Sequence, residues 1–450
     1  MENIIVVGAG MAGIMAARTL RGAGYEVTIL EARDRIGGRT HTNHALDSPV
    51  DLGAAWIHGA DGNPLMLLAR ELNLSLGYTD FLNRSISAVQ AYDEDGSPLD
   101  QAEYANGISM ALGAFYNAAG SELYTRSEKA RTLKDWLEYG LPKPDHFFSR
   151  TEMLGFRYYS LISSEYVNAA DWDLIDWNLS NSHVELPGGD HLLYGSGFEA
   201  IIEYLFKGVS DLRLDTAVTR ITVTDAGVIL DTSDGQFTCD RLVLTVPLGV
   251  LKKQAITFDP PLPAAKTGAI ERIGFGNYEK LALRFDKFYW PKSAQRFNYL
   301  STGEPSLFHA WLNLGHYSGE PVIILYHAGR RARHINQLSD DELIDHTLEV
   351  MQRIFGDNGF GKIPAPKAYV RTNWQADPFA QGSYSFDQIG QRPGDRRLLA
   401  EPVGERLFFA GEASHPHYYA TVHGAYETGI RAAREIIALS WPEQSQTSRT

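Results

Sequence analysis

An α/β fold built on a parallel sheet is predicted by three observations in this chain of 450 residues. Ile4-Ile5-Val6-Val7 is a continuous apolar run, as expected of a parallel strand buried on both faces. It passes at once into Gly8-Ala9-Gly10-Met11-Ala12-Gly13 and a helical stretch, Met11 to Gly22. Two later runs, Leu242 to Val246 and Leu407 to Ala410, have the same short apolar character. Apolar residues make up 44% and aromatics 11%, enough for a large core.

The first unit is the most informative. Gly8 permits a tight turn, Gly10 lets backbone approach a pyrophosphate, and Gly13 lets helix and sheet pack closely. The helix start, with Met11 and Ala12, offers free N–H groups and partial positive charge to that phosphate. Val27 to Glu31 reads as the second strand. Glu31 stands eighteen positions after Gly13, where an acid grips the adenosine ribose hydroxyls. The layer is therefore Rossmann-like and dinucleotide-binding. The run from Leu242 is ended by Pro247, which cannot donate to a ladder. The run from Leu407 leads through Gly411-Glu412 to a helix over Val422 to Leu439, whose Ala425, Ile430, Ala433, Ile436 and Ile437 keep helical spacing.

Two stretches of different character lie between. Asn83 to Asp176 is rich in aromatics and reads as helix and loop. Ile270 to Asp387 alternates strand-like runs, Lys280 to Phe285 and Val322 to Tyr326, with a helix near Asp340 to Phe355 capped by Ser339. The interleaving predicts two discontinuous domains: residues 1–80, 186–268 and 388–440 form the cofactor domain. Residues 81–185 and 269–387 form an α+β substrate domain with a mixed sheet, and 441–450 a loose tail.

The formal charge of −14 over 450 residues is too small to hold a chain open. Its sign argues against non-specific nucleic-acid binding and suits a cationic small molecule. Cys239 is the one cysteine, so no intrachain disulfide or cysteine metal cluster can form, and a cytoplasmic protein is expected. The apolar stretch Ile4 to Ala17 is too short and glycine-rich to span a bilayer, so no membrane association is expected.

The residues after Glu31 separate FAD from NAD. Ala32-Arg33-Asp34-Arg35-Ile36-Gly37-Gly38-Arg39-Thr40 places a second glycine pair and three arginines behind the ribose acid. A second phosphate-contacting loop suits FAD, whose extended form runs past two loops.

From here the sequence resembles the flavin-dependent amine oxidases, in particular their polyamine oxidase branch. The matching blocks appear in order over most of the chain. They are Val6 to Gly13, Glu31 to Arg39, Asp51 to Gly59 with Gly62-Asn63-Pro64, and Leu186 to Gly189. Val246 to Leu251, Phe258 to Pro263 and Ile273 to Gly276 with Lys280 follow. Trp374, Gly382 to Ser385, Ala410 to Ala413 and Tyr418 to Ala425 complete the series. The Trp56-Ile57-His58-Gly59 and Tyr418 to Gly424 blocks resemble the animal spermine and acetylpolyamine oxidases more than the apoplastic plant enzymes.

The resemblance implies oxidation of an amine C–N bond, with hydride passing to flavin N5, oxygen reduced to hydrogen peroxide, and the imine hydrolysed to an aldehyde and a shorter amine. It implies a lysine near flavin N5 at Lys280, where an edge lysine facing solvent is otherwise the usual finding. His58 would orient the substrate amine or help keep it deprotonated. Trp56, Tyr384, Tyr419, Thr421 and Glu185 would meet the substrate, Thr421 standing where other members place a cage tyrosine. Ala54, Ala55, Trp56, Val218, Pro247, Trp374, Gly411, Glu412, Thr421 and Val422 would join the glycine turn and the second loop around FAD. The block Ala413 to His417 holds no cysteine, so FAD is expected to be non-covalent. Animal members place a glutamate where Ser182 stands, which leaves Asp173, Asp176 and Glu185 as candidates to hold a distal amine. An L-amino-acid oxidase would need an arginine for the carboxylate. A histone demethylase would need a helical insertion and a further domain, for which 450 residues leave no room. A non-catalytic FAD scaffold would not need Lys280. The protein is expected to be a monomer or homodimer.

Overall fold

The structure, a computed structural model, describes residues 2–79, 88–119, 132–135, 149–176, 179, 183–209, 211–301 and 310–440. Its first layer is a five-stranded sheet in the order Leu407–Phe409, Arg241–Leu244, Asn3–Val7, Glu26–Leu30, Asp211–Arg213, with every pair parallel. Successive side chains of a strand face opposite ways, and here both sides are covered. Ile4 and Val6 pack with Ala16 and Leu20 of the helix Met11–Gly22 and with Ala433 and Ile436 of the helix Val422–Ser440. Ile5 and Val7 pack on the other face against Ile221, Val228 and Leu230 of a four-stranded sheet. The two helices approach closely because Gly429 lies on Ala12, where a Cβ would stand 2.2 Å from the Ala12 carbonyl oxygen. Asp211–Arg213 is an added edge strand that the apolar runs do not announce.

The second large sheet has six strands in the order Ala368–Arg371, Tyr278–Arg284, Val322–Ala328, Ala310–Asn313, Arg296–Leu300, Val89–Asp93. All pairs are antiparallel except the last, which is parallel. The strand Val89–Asp93 is a correction to the helix-and-loop reading of its region. Its partner lies some two hundred positions away, so no local periodicity reveals it. Leu281 and Leu283 face a core holding Met351, Ile354 and Phe355, whereas Tyr278 and Ala282 face Tyr104, Tyr158 and Tyr166 on the other side. Lys280 falls on that second face, in an interior strand. The edge reading of this lysine is therefore overturned.

The helix Asp340–Met351 begins with a capping box, Ser339 Oγ accepting from the Glu342 N–H and Glu342 Oε2 from the Ser339 N–H. Its α-helical part ends earlier than its pattern suggests, passing into a wider π-helical segment, Gln352–Phe360, whose backbone leaves helical angles at Asn358 and Gly359. A three-stranded sheet, Trp56–His58 and Leu76–Thr79 flanking Asp190–Leu193, brings early and middle parts of the chain together. Among the described residues no helix is long and apolar enough to cross a membrane.

Candidate active site

One cavity of about 890 Å³ joins the glycine turn to Lys280. Such a volume is ample for a large cofactor with room beside it. Every expected cofactor and substrate residue lines it except Gly13 and Tyr419.

The cradle is built by backbone. Gly8 has φ +103°, a conformation that L side chains rarely adopt. Gly10 caps the helix Met11–Gly22 without any side-chain hydrogen bond, so the first N–H groups are left to a ligand. A Cβ on Gly10 would meet nothing closer than the Gly37 carbonyl oxygen at 3.9 Å, so this flank is open. Gly13 does not face the cavity. It lies on the Gly8 carbonyl and acts through packing, as its place in the motif implies. Glu31 is buried, and its carboxylate accepts from the Ala9 N–H at 2.7 Å and the Arg33 N–H at 2.9 Å. Burial raises its pKa, and the two backbone donors and nearby arginines offset this only in part.

The three arginines of the second loop divide. Arg33 pairs bidentately with Asp377 at 2.8 and 2.7 Å, so its guanidinium holds the loop, although the residue lines the cavity. Arg35 donates to the carbonyls of Ile36 and Gly38. Arg39 donates to the Ser383 carbonyl and, at 2.9 Å, to Glu412. Glu412 also accepts from Ser385 Oγ at 2.7 Å and the Ala420 N–H at 2.8 Å. Burial alone would raise its pKa. Arg39, Ser385 and Ala420 hold it below the ordinary carboxylate value. Thr421 Oγ1 accepts from the Gly424 N–H at 2.9 Å, capping the helix that begins at Val422. These groups (an open helix start, a buried ribose acid, a second glycine loop and a second helix start) fit an extended dinucleotide.

Lys280 is buried in the cavity wall. Its Nζ donates to the carbonyls of Asp51 at 2.7 Å and Gly53 at 2.6 Å and lies 5.7 Å from the Trp56 ring. Desolvation lowers its pKa to about 8, against the opposing pull of Asp51. Asp51 is itself pushed up to about 6 by burial, despite Thr42 and Lys280. His58 Nδ1 lies 2.9 Å from Asp190 Oδ1.

Trp374 lines the cavity and donates through Nε1 to the Leu52 carbonyl at 3.4 Å. Tyr384 donates to the Tyr166 carbonyl at 2.6 Å. Tyr419 departs from the sequence reading. Its hydroxyl donates to Asp387 at 2.7 Å and its ring lies 3.6 Å from the Arg396 guanidinium, so it is a buried strut behind the cavity. Of the three candidate acids only Glu185 lines the cavity; Asp173 pairs with Arg330 and Asp176 binds the Leu179 N–H. Ser182 lies outside the described residues.

Sequence reasoning missed Tyr166, Tyr278, His183, Asp190 and His423, all of which line the cavity. His423 was within reach, since it stands one position into a helix whose start was assigned to the flavin. Asn63 Nδ2 faces its Nδ1 at 3.3 Å, and burial followed by the nearby histidines lowers its pKa to about 3.

Parallel sheet, glycine cradle and ribose acid define a dinucleotide-binding protein, and the second glycine loop suits FAD. The family described as flavin containing amine oxidoreductase matches residues 11–437, and the chain belongs to it. It is 34% identical over 443 residues to polyamine oxidase 4 of Oryza sativa subsp. japonica, covering 96% of this chain and 88% of that one. It is 31% identical over 446 residues to probable polyamine oxidase 4 of Arabidopsis thaliana, covering 96% and 86%. It is also 33% identical over 455 residues to the Arabidopsis lysine-specific histone demethylase 1 homolog 2, covering 97% of this chain but 58% of that one. A putrescine oxidase redesigned in its cofactor binding shares the fold, with a TM-score of 0.76 at 19% identity over 97% of this chain and 99% of the other. The chain is an FAD-dependent amine oxidase.

Proposed function

We propose that this enzyme oxidises a polyamine, spermine, spermidine or an acetylated derivative, with dioxygen as electron acceptor and a non-covalently held FAD. The observation that carries the reading is the meeting, in one cavity, of the FAD cradle with buried Lys280 and the aromatic walls Trp56, Tyr278, Trp374 and Tyr384. FAD, when bound, supplies hydride acceptance from the carbon beside the amine nitrogen and passes the electrons to oxygen, giving hydrogen peroxide. The chain's own residues do the rest. Aromatic walls take the alkyl segments by apolar contact and cation–π attraction. Lys280, fixed by two carbonyls, puts a positive charge and a remaining N–H beside the reacting centre, where negative charge develops. His58 meets the amine nitrogen, and Glu185 offers a carboxylate to a distal ammonium. Water then hydrolyses the imine to aldehyde and shorter amine.

An L-amino-acid substrate finds less support. The two arginines that line the cavity among the described residues, Arg33 and Arg39, are each paired with a carboxylate. Peroxide release and anaerobic flavin bleaching should be measured against polyamines, acetylpolyamines, monoamines and L-amino acids. Preference for a polyamine is expected. Turnover confined to amino acids or to short monoamines would refute the assignment.

A further inference from the structure

The strand Tyr278–Arg284 presents two faces. Lys280 points into the cavity, whereas its neighbour Glu279 points the other way and does not line it. Glu279 is fully buried, at 0% exposure. Among the described residues its carboxylate meets no cation but four hydrogen-bond donors. Oε2 accepts from Thr372 Oγ1 at 2.5 Å and from the Trp374 N–H at 3.1 Å. Oε1 accepts from Asn336 Nδ2 at 3.3 Å and, more weakly, from the Gln375 N–H at 3.4 Å. Burial raises the pKa of this carboxyl, and the same donors pull it back in part.

Thr372 extends the knot to the lysine. While donating to Glu279, its hydroxyl accepts from the Lys280 N–H at 2.8 Å, and its own N–H donates to the Lys280 carbonyl at 3.0 Å. The backbones of Lys280 and Trp374 are thus tied to one buried group. On the cavity side their side chains lean on one stretch of backbone. Lys280 Nζ donates to the Asp51 and Gly53 carbonyls, and Trp374 Nε1 to the Leu52 carbonyl between them.

We infer that Glu279 is a positioning residue for the reaction. By accepting hydrogen bonds from behind the strand, it fixes Lys280 and Trp374 relative to each other, so that ammonium and indole reach the cavity as one rigid wall. This rests on the proposed roles of Lys280 and Trp374 beside the flavin. Glu279 serves as an acceptor and not as a charge, so an uncharged acceptor of the same shape suffices. Glutamine offers one oxygen to Thr372 and Trp374 and turns its amide toward Asn336. The Asn336 Oδ1, which has no partner among the described residues, takes that amide when its own side chain turns over. Leucine offers no acceptor, and both backbones are then free to shift.

The test reads geometry and rate separately. The full chain labelled with fluorotryptophan gives a fluorine NMR resonance for Trp374, assigned with Trp374→Phe. In Glu279→Leu that resonance should shift or broaden, with and without FAD, while the other tryptophans keep theirs. The limiting rate of anaerobic flavin reduction by the most active amine of the substrate panel should fall by about tenfold to hundredfold, the scale of a small misplacement. Glu279→Gln should keep the Trp374 resonance and stay within about threefold of the wild-type rate. Thr372→Val cuts the link to the Lys280 N–H and leaves Glu279 its other donors. It should slow reduction by about tenfold with the Trp374 resonance in place, and it serves where Glu279→Leu does not fold. A Trp374 resonance unmoved in Glu279→Leu, a Glu279→Gln enzyme as slow as Glu279→Leu, or a Thr372→Val enzyme as fast as wild type overturns the proposal. Lys280→Met is run beside them. If it reduces flavin at the wild-type rate, the fault lies with the role given to Lys280; if it is slow and Thr372→Val and Glu279→Leu are not, the positioning role falls alone.

Discussion

Gly13→Ala probes the cradle at the point where packing is tightest. A Cβ at this position would stand 1.9 Å from the Gly8 carbonyl oxygen and 3.1 Å from Thr245 Oγ1. Ordinary contacts between heavy atoms lie near 3.5 Å, so the start of the helix must retreat by roughly 1.5 Å. Nothing flexible absorbs the shift. The clashing atom is backbone, and Gly8 is itself held at φ +103° by the turn. Overpacking of this kind costs about 1–3 kcal/mol of stability. The retreat also carries the helix's first N–H groups away from the second glycine loop, and each charge-assisted hydrogen bond lost to a phosphate is worth about 1.5–3 kcal/mol. One such bond raises the Kd for FAD at least about tenfold. The matched control is Gly22→Ala at the other end of the same helix. It is exposed, with nothing within 4 Å of a built Cβ. That variant should gain up to about 1 kcal/mol and bind FAD normally. Apoprotein titrated with FAD by calorimetry, beside thermal unfolding, reads both effects. A Gly13→Ala protein with wild-type Kd and melting temperature would refute the packing argument and with it the placement of the pyrophosphate on this turn.

Four further outcomes are expected. Lys280→Met should slow flavin reduction or reoxidation in stopped-flow by orders of magnitude, and rates like those of the wild type would remove Lys280 from the reaction. The same residue makes a linkage prediction. Its folded pKa of about 8 lies below the ordinary 10.5. Between those values the unfolded chain binds the proton that the folded chain has lost, so this group's contribution to stability rises with pH across that window. The melting temperature of wild type relative to Lys280→Met should therefore climb over that range, and a flat difference contradicts the burial argument. Glu31→Gln sets an amide N–H₂ against one of two backbone donors and should weaken FAD binding by about 1.5–3 kcal/mol. An unchanged Kd would show that its carboxylate does not serve the cofactor. Finally, acid precipitation should leave all flavin in the supernatant, because the one cysteine, Cys239, is buried and lies away from the cavity; flavin in the pellet would show a covalent link.

The nucleotide half of the site was legible because its determinants are local. Gly8, Gly10, Gly13 and Glu31 fall within one strand–turn–helix–strand unit, and each is required by a backbone conformation, a close approach or a hydrogen bond that the short motif itself specifies. The substrate half was not, because it is assembled from distant strands. Val89–Asp93 becomes a strand only beside Arg296–Leu300. Asp190 reaches the cavity beside His58 only because register sets it opposite that residue. Tyr419 illustrates the converse failure. It sits next to the cavity-lining Ala420 and Thr421, yet it does not line the cavity itself: its hydroxyl is bonded to Asp387, and its ring lies against Arg396 and the cavity-lining His183. Arg33 looks like a phosphate ligand in sequence, but Asp377, 344 positions away, claims its guanidinium.

The same geometry indicates how a chain of formal charge −14 handles a cation. The overall charge acts at long range, and it is the distribution within the cavity that orients a ligand. Glu31 and Glu412 are committed to backbone N–H groups and, for Glu412, to Arg39, so neither is offered to a substrate. Trp56 is near two of the remaining polar groups: Lys280 Nζ lies 5.7 Å from its ring, and the His58 ring, which meets Asp190, lies 6.4 Å from it, while Glu185 also lines the cavity. Under the proposed reaction this series is a polarity gradient. An ammonium pressed toward Lys280 meets like charge, whereas a neutral amine does not. An ammonium beside His58 and Asp190 meets a carboxylate. The nitrogen that approaches the reacting centre is therefore driven to give up its proton on the way, and the charge that a polyamine must keep is driven to its other end. Selection of an amine with a second, distant nitrogen would then follow from where the wall charges stand rather than from how many acids the chain carries.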